Sequence, residues 1–270
     1  MTSSLVACAR MYAVTPVARD AWRALLAEVG NRAGLDLDVI DHAFPAPLND
    51  LWGRPDLAAA FMCGWPLAQR SFSHPIVAAP APSDPASGGR AVYRTHFIVA
   101  RDAPFRTLED VFGHRMAFTV EDSHSGYNAP RHHLLPYRRS RAGAPLFKAM
   151  VGPVITPRRV LETVAAGEAD VGPLDSYAYA LMMRHDPDLG GKFRVLASTD
   201  PIPMPPLVAA PGTDPGIIDR LARAFLSFDG SEAPLQTLLL AGFERPEAGI
   251  YAVTQDWARA ARDAGLEHLQ

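Results

Sequence analysis

The sequence predicts an α/β protein with two lobes. Short apolar runs alternate with segments of helical periodicity along the whole chain, the pattern of parallel sheets with helices on both faces. Several helical segments open on a capping residue followed by proline, as at Thr15 and Pro16 or Thr156 and Pro157, where the missing N–H costs the helix nothing. At 270 residues the chain is long enough for a substantial core and for two such lobes.

Composition narrows the function classes. The chain is 48% hydrophobic and 20% charged, which is ordinary for a globular protein. A net charge of −3 gives no support to nucleic-acid binding. No stretch approaches the roughly 20 apolar residues of a membrane span, so membrane insertion is not expected. The 25 prolines are scattered between periodic segments and read as loop punctuation. Cys8 and Cys63 lack metal-ligand spacing and end apolar runs, so they read as core thiols. A disulfide would need their strands to be neighbours.

In chain order, residues 5–9 read as a buried strand leading into a loop at 10–14. Thr15 caps a helix whose Ala18, Trp22, Leu25, Leu26 and Val29 share one face, with Gly30 and Gly34 available to end it. Leu35, Leu37 and Val39 alternate with Asp36 and Asp38, a strand pattern. Residues 47–52 and 56–60 read as short helices, 61–63 as a strand closing on a turn at 64–66, and 76–79 as another strand. Residues 80–89, rich in Pro, Ala, Ser and Gly, read as a surface loop. Residues 91–101 form the longest strand candidate, 107–113 a helical turn or two, and 115–120 a strand. Residues 130–137 are helical and basic, with Arg131, Arg138, Arg139 and Arg141 as a solvated face. After a strand at 151–155, Thr156 caps a helix with Val160, Leu161, Val164 and Ala165 on its apolar face. Strands follow at 170–172, 194–197 and 207–210, and helices at 176–184, 214–228, 234–240 and 254–264.

The stretch richest in chemistry is residues 121–128, a loop of small hydroxyl residues and glycine between a strand and a helix. Ser123 and Ser125 can aim hydroxyls at one point, Gly126 lets the backbone approach closely, and a following helix adds partial positive charge. These are the requirements of an anion site; the same serines also serve as plain caps and turn formers. Pro130 stands where a helix capped at Ser125 needs a backbone N–H, which favours Asn128 as the cap and puts Pro130 at the second helical position. His124 could donate to an anion or face solvent, and Tyr127 could line a site or pack. His132 and His133, adjacent on a helix, point about 100° apart and make a poor chelate. No P-loop, dinucleotide fingerprint, nucleophile elbow or H-E-x-x-H motif is present, and no metal or cofactor is expected.

Five segments in order carry a resemblance: Cys63-Gly64-Trp65-Pro66-Leu67, Tyr93-Arg94-Thr95-His96-Phe97-Ile98-Val99, Thr107-Leu108-Glu109-Asp110-Val111-Phe112-Gly113-His114-Arg115, Asp122-Ser123-His124-Ser125-Gly126, and Ala166-Gly167-Glu168-Ala169-Asp170-Val171-Gly172-Pro173-Leu174-Asp175. Together they resemble the phosphate, phosphite and phosphonate substrate-binding proteins of ABC transporters, within the type II periplasmic-binding-protein superfamily. The resemblance implies a first lobe of residues 1–99 and 199–270 and an inserted second lobe of 100–198, with crossings near Ala100 and Ser198. It implies a ligand cleft between mostly parallel sheets, closing on a small oxyanion of the phosphate or phosphonate kind, with an ABC permease as partner.

Besides Ser123, His124, Ser125, Gly126 and Tyr127, the ligand-contact candidates are Tyr12 and Trp65 on strand-end rims, Tyr93 and Arg94 before a crossing strand, and Asp175 and Ser176 at a helix start. Arg94 suits an oxyanion, or an ordinary surface salt bridge. Asp175 suits a ligand donor group, or a plain N-cap. The amino terminus lacks the basic and apolar regions of an export signal, so the chain as written predicts a cytoplasmic protein, and a periplasmic one if its native start lies upstream. Hence two alternatives stand beside transport: a cytoplasmic enzyme on the same fold, acting for example on a cofactor precursor, and a ligand sensor.

Overall fold

Thr15 accepts the Ala18 N–H at 3.1 Å, and Gly34, with φ of 62°, ends the helix Pro16–Ala33 that this cap begins. Its buried stripe holds Ala18, Trp22, Leu25, Leu26 and Val29, as the periodicity predicts. The computed structural model in which this is seen describes residues 4–141, 144–189, 191–266 and 268–269. The first three residues of the segment considered for an export signal lie outside the described ones. The chain forms two units: Met1–Val92 with Pro203–Tyr251, and Tyr93–Ile202 with Ala252–Gln270. The chain therefore passes between units at 92/93, 202/203 and 251/252.

The first unit is built on a six-stranded sheet in the order Leu240–Glu244, Ile76–Pro82, Leu207–Val208, Leu57–Phe61, Leu5–Cys8, Leu37–Val39. Only the last three strands run parallel; the others pair antiparallel. Four segments differ from their sequence pattern. Leu57–Phe61 is a strand rather than a helix, because all five residues are buried between strand neighbours and burial overrides the helix preference of its alanines. Gly64–Gln69 is a helix rather than a turn, with Pro66 inside the first turn where it is tolerated. The strand Ile76–Pro82 takes in three residues of the expected loop. Ser83 N–H donates to Leu239 O, so alternation turns Pro80 and Pro82 to the opposite side, beyond the last pairing with Leu207–Val208 at Ala78, and no ladder bond is lost. The helix expected over 234–240 ends at Thr237, and Leu240–Glu244 is a strand that the sequence pattern leaves unassigned beyond 240; it forms because it pairs with Ile76–Pro82.

Trp22 is the largest fully buried side chain of this unit, with its ring edge-on to Phe61 at 5.0 Å and to Phe243 at 6.4 Å. A second cluster gathers Val6, Cys8, Leu51, Leu57, Ala60 and Ala210. Cys8 and Cys63 are both buried and form no disulfide.

The second unit centres on Thr95–Ala100, paired antiparallel with Phe193–Ser198 on one side and Gly172–Asp175 on the other. A parallel pair, Arg115–Ala117 and Ala149–Val151, joins it through a bridge from Met116 to Val171. Thr156 caps Pro157–Ala165 by accepting the Arg159 N–H, as its sequence predicts. Residues 252–269 fall with this unit, not with the first as the resemblance implies. The cause is packing: Ala261 and Leu266 form a buried cluster with Leu135, and the Trp257 ring stacks flat on His132 at 4.6 Å.

Trp22→Ala is expected to cost about 3–5 kcal/mol, since it opens a cavity among fixed aromatic rings. Urea unfolding measures this, and a loss below about 1 kcal/mol would show that the site collapses freely.

Candidate functional site

The strand Arg115–Ala117 ends, and after it the chain makes a wide turn of π type, His124–Asn128, before the helix Ala129–His133. Ser123, rather than Asn128, provides the cap: its Oγ accepts the Gly126 N–H at 3.0 Å. The turn's width answers the proline. Asn128 N–H reaches Ser123 O at 3.1 Å, and Ala129 N–H reaches His124 O. The next carbonyl in this register, that of Ser125, would need the N–H that Pro130 lacks. It accepts the Thr95 hydroxyl at 3.2 Å instead. Pro130 does occupy the second helical position, as expected.

Gly126 is required by space. A Cβ added there would lie 1.8 Å from Thr119 Oγ1 and 2.8 Å from Thr119 Cβ. Thr119 is buried, and its hydroxyl finds no hydrogen-bond partner among the described residues. It is a site residue that the sequence pattern misses, although a hydroxyl residue just before the serine loop is a visible cue.

His124 is 1% exposed, with its ring 5.5 Å from Trp257 and 6.4 Å from Tyr93, edge-on. Burial, and secondarily the neighbouring His132, pushes its pKa down to about 3, so it is a neutral imidazole at physiological pH. Ser123 and Ser125 are half-buried. Tyr127 is buried, its hydroxyl within 3.4 Å of His268 Nδ1 and of the Leu269 N–H.

Two more of the predicted groups join this turn. Thr95, which holds Ser125 O, stands opposite Asp175 in the strand ladder. Asp175 Oδ1 accepts the Tyr177 and Ala178 N–H groups at 2.9 Å, capping the helix Ser176–His185. Ser176 Oγ accepts the Arg94 N–H at 3.0 Å, and the Arg94 guanidinium donates to Thr199 O at 3.0 Å. Tyr93, Arg94, Asp175 and Ser176 thus surround the turn's attachment to the sheet. Tyr12 and Trp65 belong to the first unit. Tyr12 is 1% exposed and edge-on to Phe61 at 4.8 Å, while Trp65 is buried in Gly64–Gln69.

In the basic segment Arg139 and Arg141 are exposed as expected and Arg138 is half-buried, but Arg131 departs from the expected solvated face. Arg131 is buried, lying 5.5 Å over the Tyr127 ring, and burial lowers its pKa. His132 and His133 engage different rings, Trp257 and Phe97, as adjacent helical positions must. No group of three or more His, Cys, Asp or Glu able to hold a metal occurs among the described residues. The arrangement offers neutral hydrogen-bond donors around a close backbone approach, which is the chemistry of oxyanion binding.

Gly126→Ala is expected to destabilise the protein by about 1–3 kcal/mol through overpacking against Thr119. An unchanged urea midpoint would show that Thr119 yields without strain. Protonation sets a second expectation. His74, His124, His132 and His133 are all held below the ordinary range, with burial the first cause in each. The unfolded chain takes up protons near pH 6.5 that the folded chain refuses, so stability is full above that pH and falls as pH drops below it. Thermal melts should give a lower Tm at pH 5 than at pH 7.5; equal values would contradict the buried neutral state.

Solved structures share this fold over nearly the whole chain. The binding-protein component of an ABC phosphonate transporter from Pseudomonas aeruginosa aligns with a TM-score of 0.78 at 15% identity, covering 97% of this chain and 88% of that one. PhnD1 from Prochlorococcus marinus MIT 9301, solved in complex with methylphosphonate, aligns with a TM-score of 0.78 at 15% identity, covering 96% and 98%. XAC2383 from Xanthomonas citri, solved bound to ATP, aligns with a TM-score of 0.64 at 20% identity, covering 100% of both chains. At such identities the likeness is one of fold. No curated protein sequence matches the chain significantly. The family described as ABC transporter, phosphonate, periplasmic substrate-binding protein matches residues 17–251. The chain belongs to that family.

Proposed function

We propose that this protein binds a small oxyanion of the phosphate and phosphonate class and hands it to an ABC permease. Family membership supports the class of ligand and the transport role. The observation that carries the reading to named residues is the turn His124–Asn128 with its Ser123 cap. The N–H groups of His124 and Ser125 open that turn, where no earlier carbonyl of the turn can receive them. Ser125, which is half-buried, adds a hydroxyl that can donate to the same turn. Hydrogen bonds from such donors to a charged oxygen are worth about 1.5–3 kcal/mol each. Arg94 Nη1 donates to Thr199 O and Asp175 Oδ1 caps its helix, so both side chains are oriented by the protein itself.

The family's description as periplasmic supports a working place outside the cytoplasmic membrane. No helix among the described residues is long and apolar enough to cross a membrane. PhnD1, of the same fold, was solved with methylphosphonate, which makes that compound the first to test.

Calorimetry against phosphate, phosphite, methylphosphonate and 2-aminoethylphosphonate is the test. At least one should bind, and Ser125→Ala should weaken that binding by about 1–3 kcal/mol. A folded protein that binds none of the four would overturn the ligand class. Unchanged affinity in Ser125→Ala would remove that hydroxyl from the site.

A further inference from the structure

Asn128 sits among three polar groups. Its Nδ2 lies 2.9 Å from Thr254 O and 3.1 Å from His124 Nδ1, while its Oδ1 lies 3.3 Å from Arg131 Nη2. A carbonyl only accepts and a guanidinium only donates, so the amide can face them in one way: nitrogen to Thr254, oxygen to Arg131. Its second N–H is then directed at His124 Nδ1, which must accept. The imidazole proton therefore sits on Nε2. That Nε2 is buried and has no hydrogen-bond partner among the described residues. A buried donor left unmade in a native fold asks for an explanation, and a ligand acceptor supplies one.

Asn128 and Arg131 lie within the 17–251 matched by the family, but the remaining group that imposes this state comes from residues beyond it. Thr254 supplies the carbonyl, and the Trp257 ring walls His124 at 5.5 Å while stacking on His132. Farther along, His268 and Leu269 hold the Tyr127 hydroxyl of the same turn.

The geometry points to the C-terminal segment as a positioning element for the ligand turn: through the Thr254 carbonyl and Asn128 it fixes His124 as the Nε2–H tautomer, and that proton donates to an anionic oxygen of the ligand. This rests on the proposed reading of the turn as the oxyanion site. Thr254 and Trp257 are positioning residues, acting through His124. The ligand must then bring an acceptor oxygen to Nε2 in addition to those met by the serine turn, as a phosphonate or phosphate group with several oxygens does.

Nitrogen-15 NMR of the full chain with labelled histidine, assigned with His124→Gln, tests this. His124 should show one neutral tautomer with Nε2 protonated, and saturating methylphosphonate or inorganic phosphate should move the Nε2 resonance while Nδ1 stays nearly still. Asn128→Ala should mix the tautomers and weaken binding about tenfold, which is a loss of one hydrogen bond's worth. Trp257→Phe, which keeps a ring wall, should preserve the single tautomer. A proton on Nδ1, or an Nε2 resonance unmoved by a ligand whose binding Ser125→Ala weakens, would overturn the inference and leave the proposed function standing. No binding by any of the four compounds named for the calorimetry, with the single tautomer present, would overturn the donor role together with the functional reading. If Asn128→Ala does not fold, the wild-type spectra alone decide.

Discussion

The amide hydrogen that Pro130 lacks is the constraint on which this site depends. A helix running through residues 124–133 with regular bonding would leave a carbonyl unpaired wherever proline falls. The chain widens its first turn to π spacing, and the carbonyl left over is that of Ser125. Thr95 takes it with a hydroxyl. Thr95 is itself fixed in the central strand of the antiparallel sheet, with its N–H on Thr199 Oγ1 and its carbonyl accepting the Thr199 N–H. A local defect in helix bonding thus becomes the bolt that fastens the turn to the sheet. Wide turns of this kind often mark functional sites because they re-aim backbone groups without breaking the helix.

Electrostatically, the turn differs from a cationic trap. Its own histidine is uncharged, Arg131 is buried against Tyr127, and Arg94 turns one guanidinium nitrogen to a backbone carbonyl. What remains is a set of oriented dipoles held in place by packing. Donors fixed in advance need no reorganisation when an anion arrives, and inside a low-dielectric surround each is worth more than it would be in water. Gly126, pressed against Thr119, sets how closely the backbone can present them.

Much of the fold was legible where local chemistry decides. Thr15 and Thr156 cap their helices as the sequence predicts, and the stripe from Ala18 to Val29 is buried residue for residue. Legibility failed where neighbours decide. The alanines of Leu57–Phe61 favour a helix in isolation, and only the flanking strands make them a strand. The prolines of Ile76–Pro82 signal a loop, and only the one-sided pairing makes them acceptable in a sheet. The candidate site divides in the same way. Ser123, Ser125 and Gly126 announce themselves by type and spacing, and the placement of Pro130 was readable too. The partners of the turn were not, because Thr95 lies 30 residues away from Ser125 and Thr254 lies 126 residues from Asn128. No periodicity in residues 252–269 distinguishes a helix that closes its own unit from one that completes the other.

That distance has a consequence for how the protein comes to be. Residues 252–269 meet the turn across separations of 126 to 142 positions, so their contacts close only after the intervening chain has found its place. Closing such long loops precedes any reward from the contacts themselves, which makes these pairings slow to form. The central strand Thr95–Ala100 pairs with segments almost as remote, Gly172–Asp175 and Phe193–Ser198. The turn is therefore held from both sides by groups distant in sequence, Thr95 on the sheet and Thr254 on the C-terminal segment, and its order depends on both being in place.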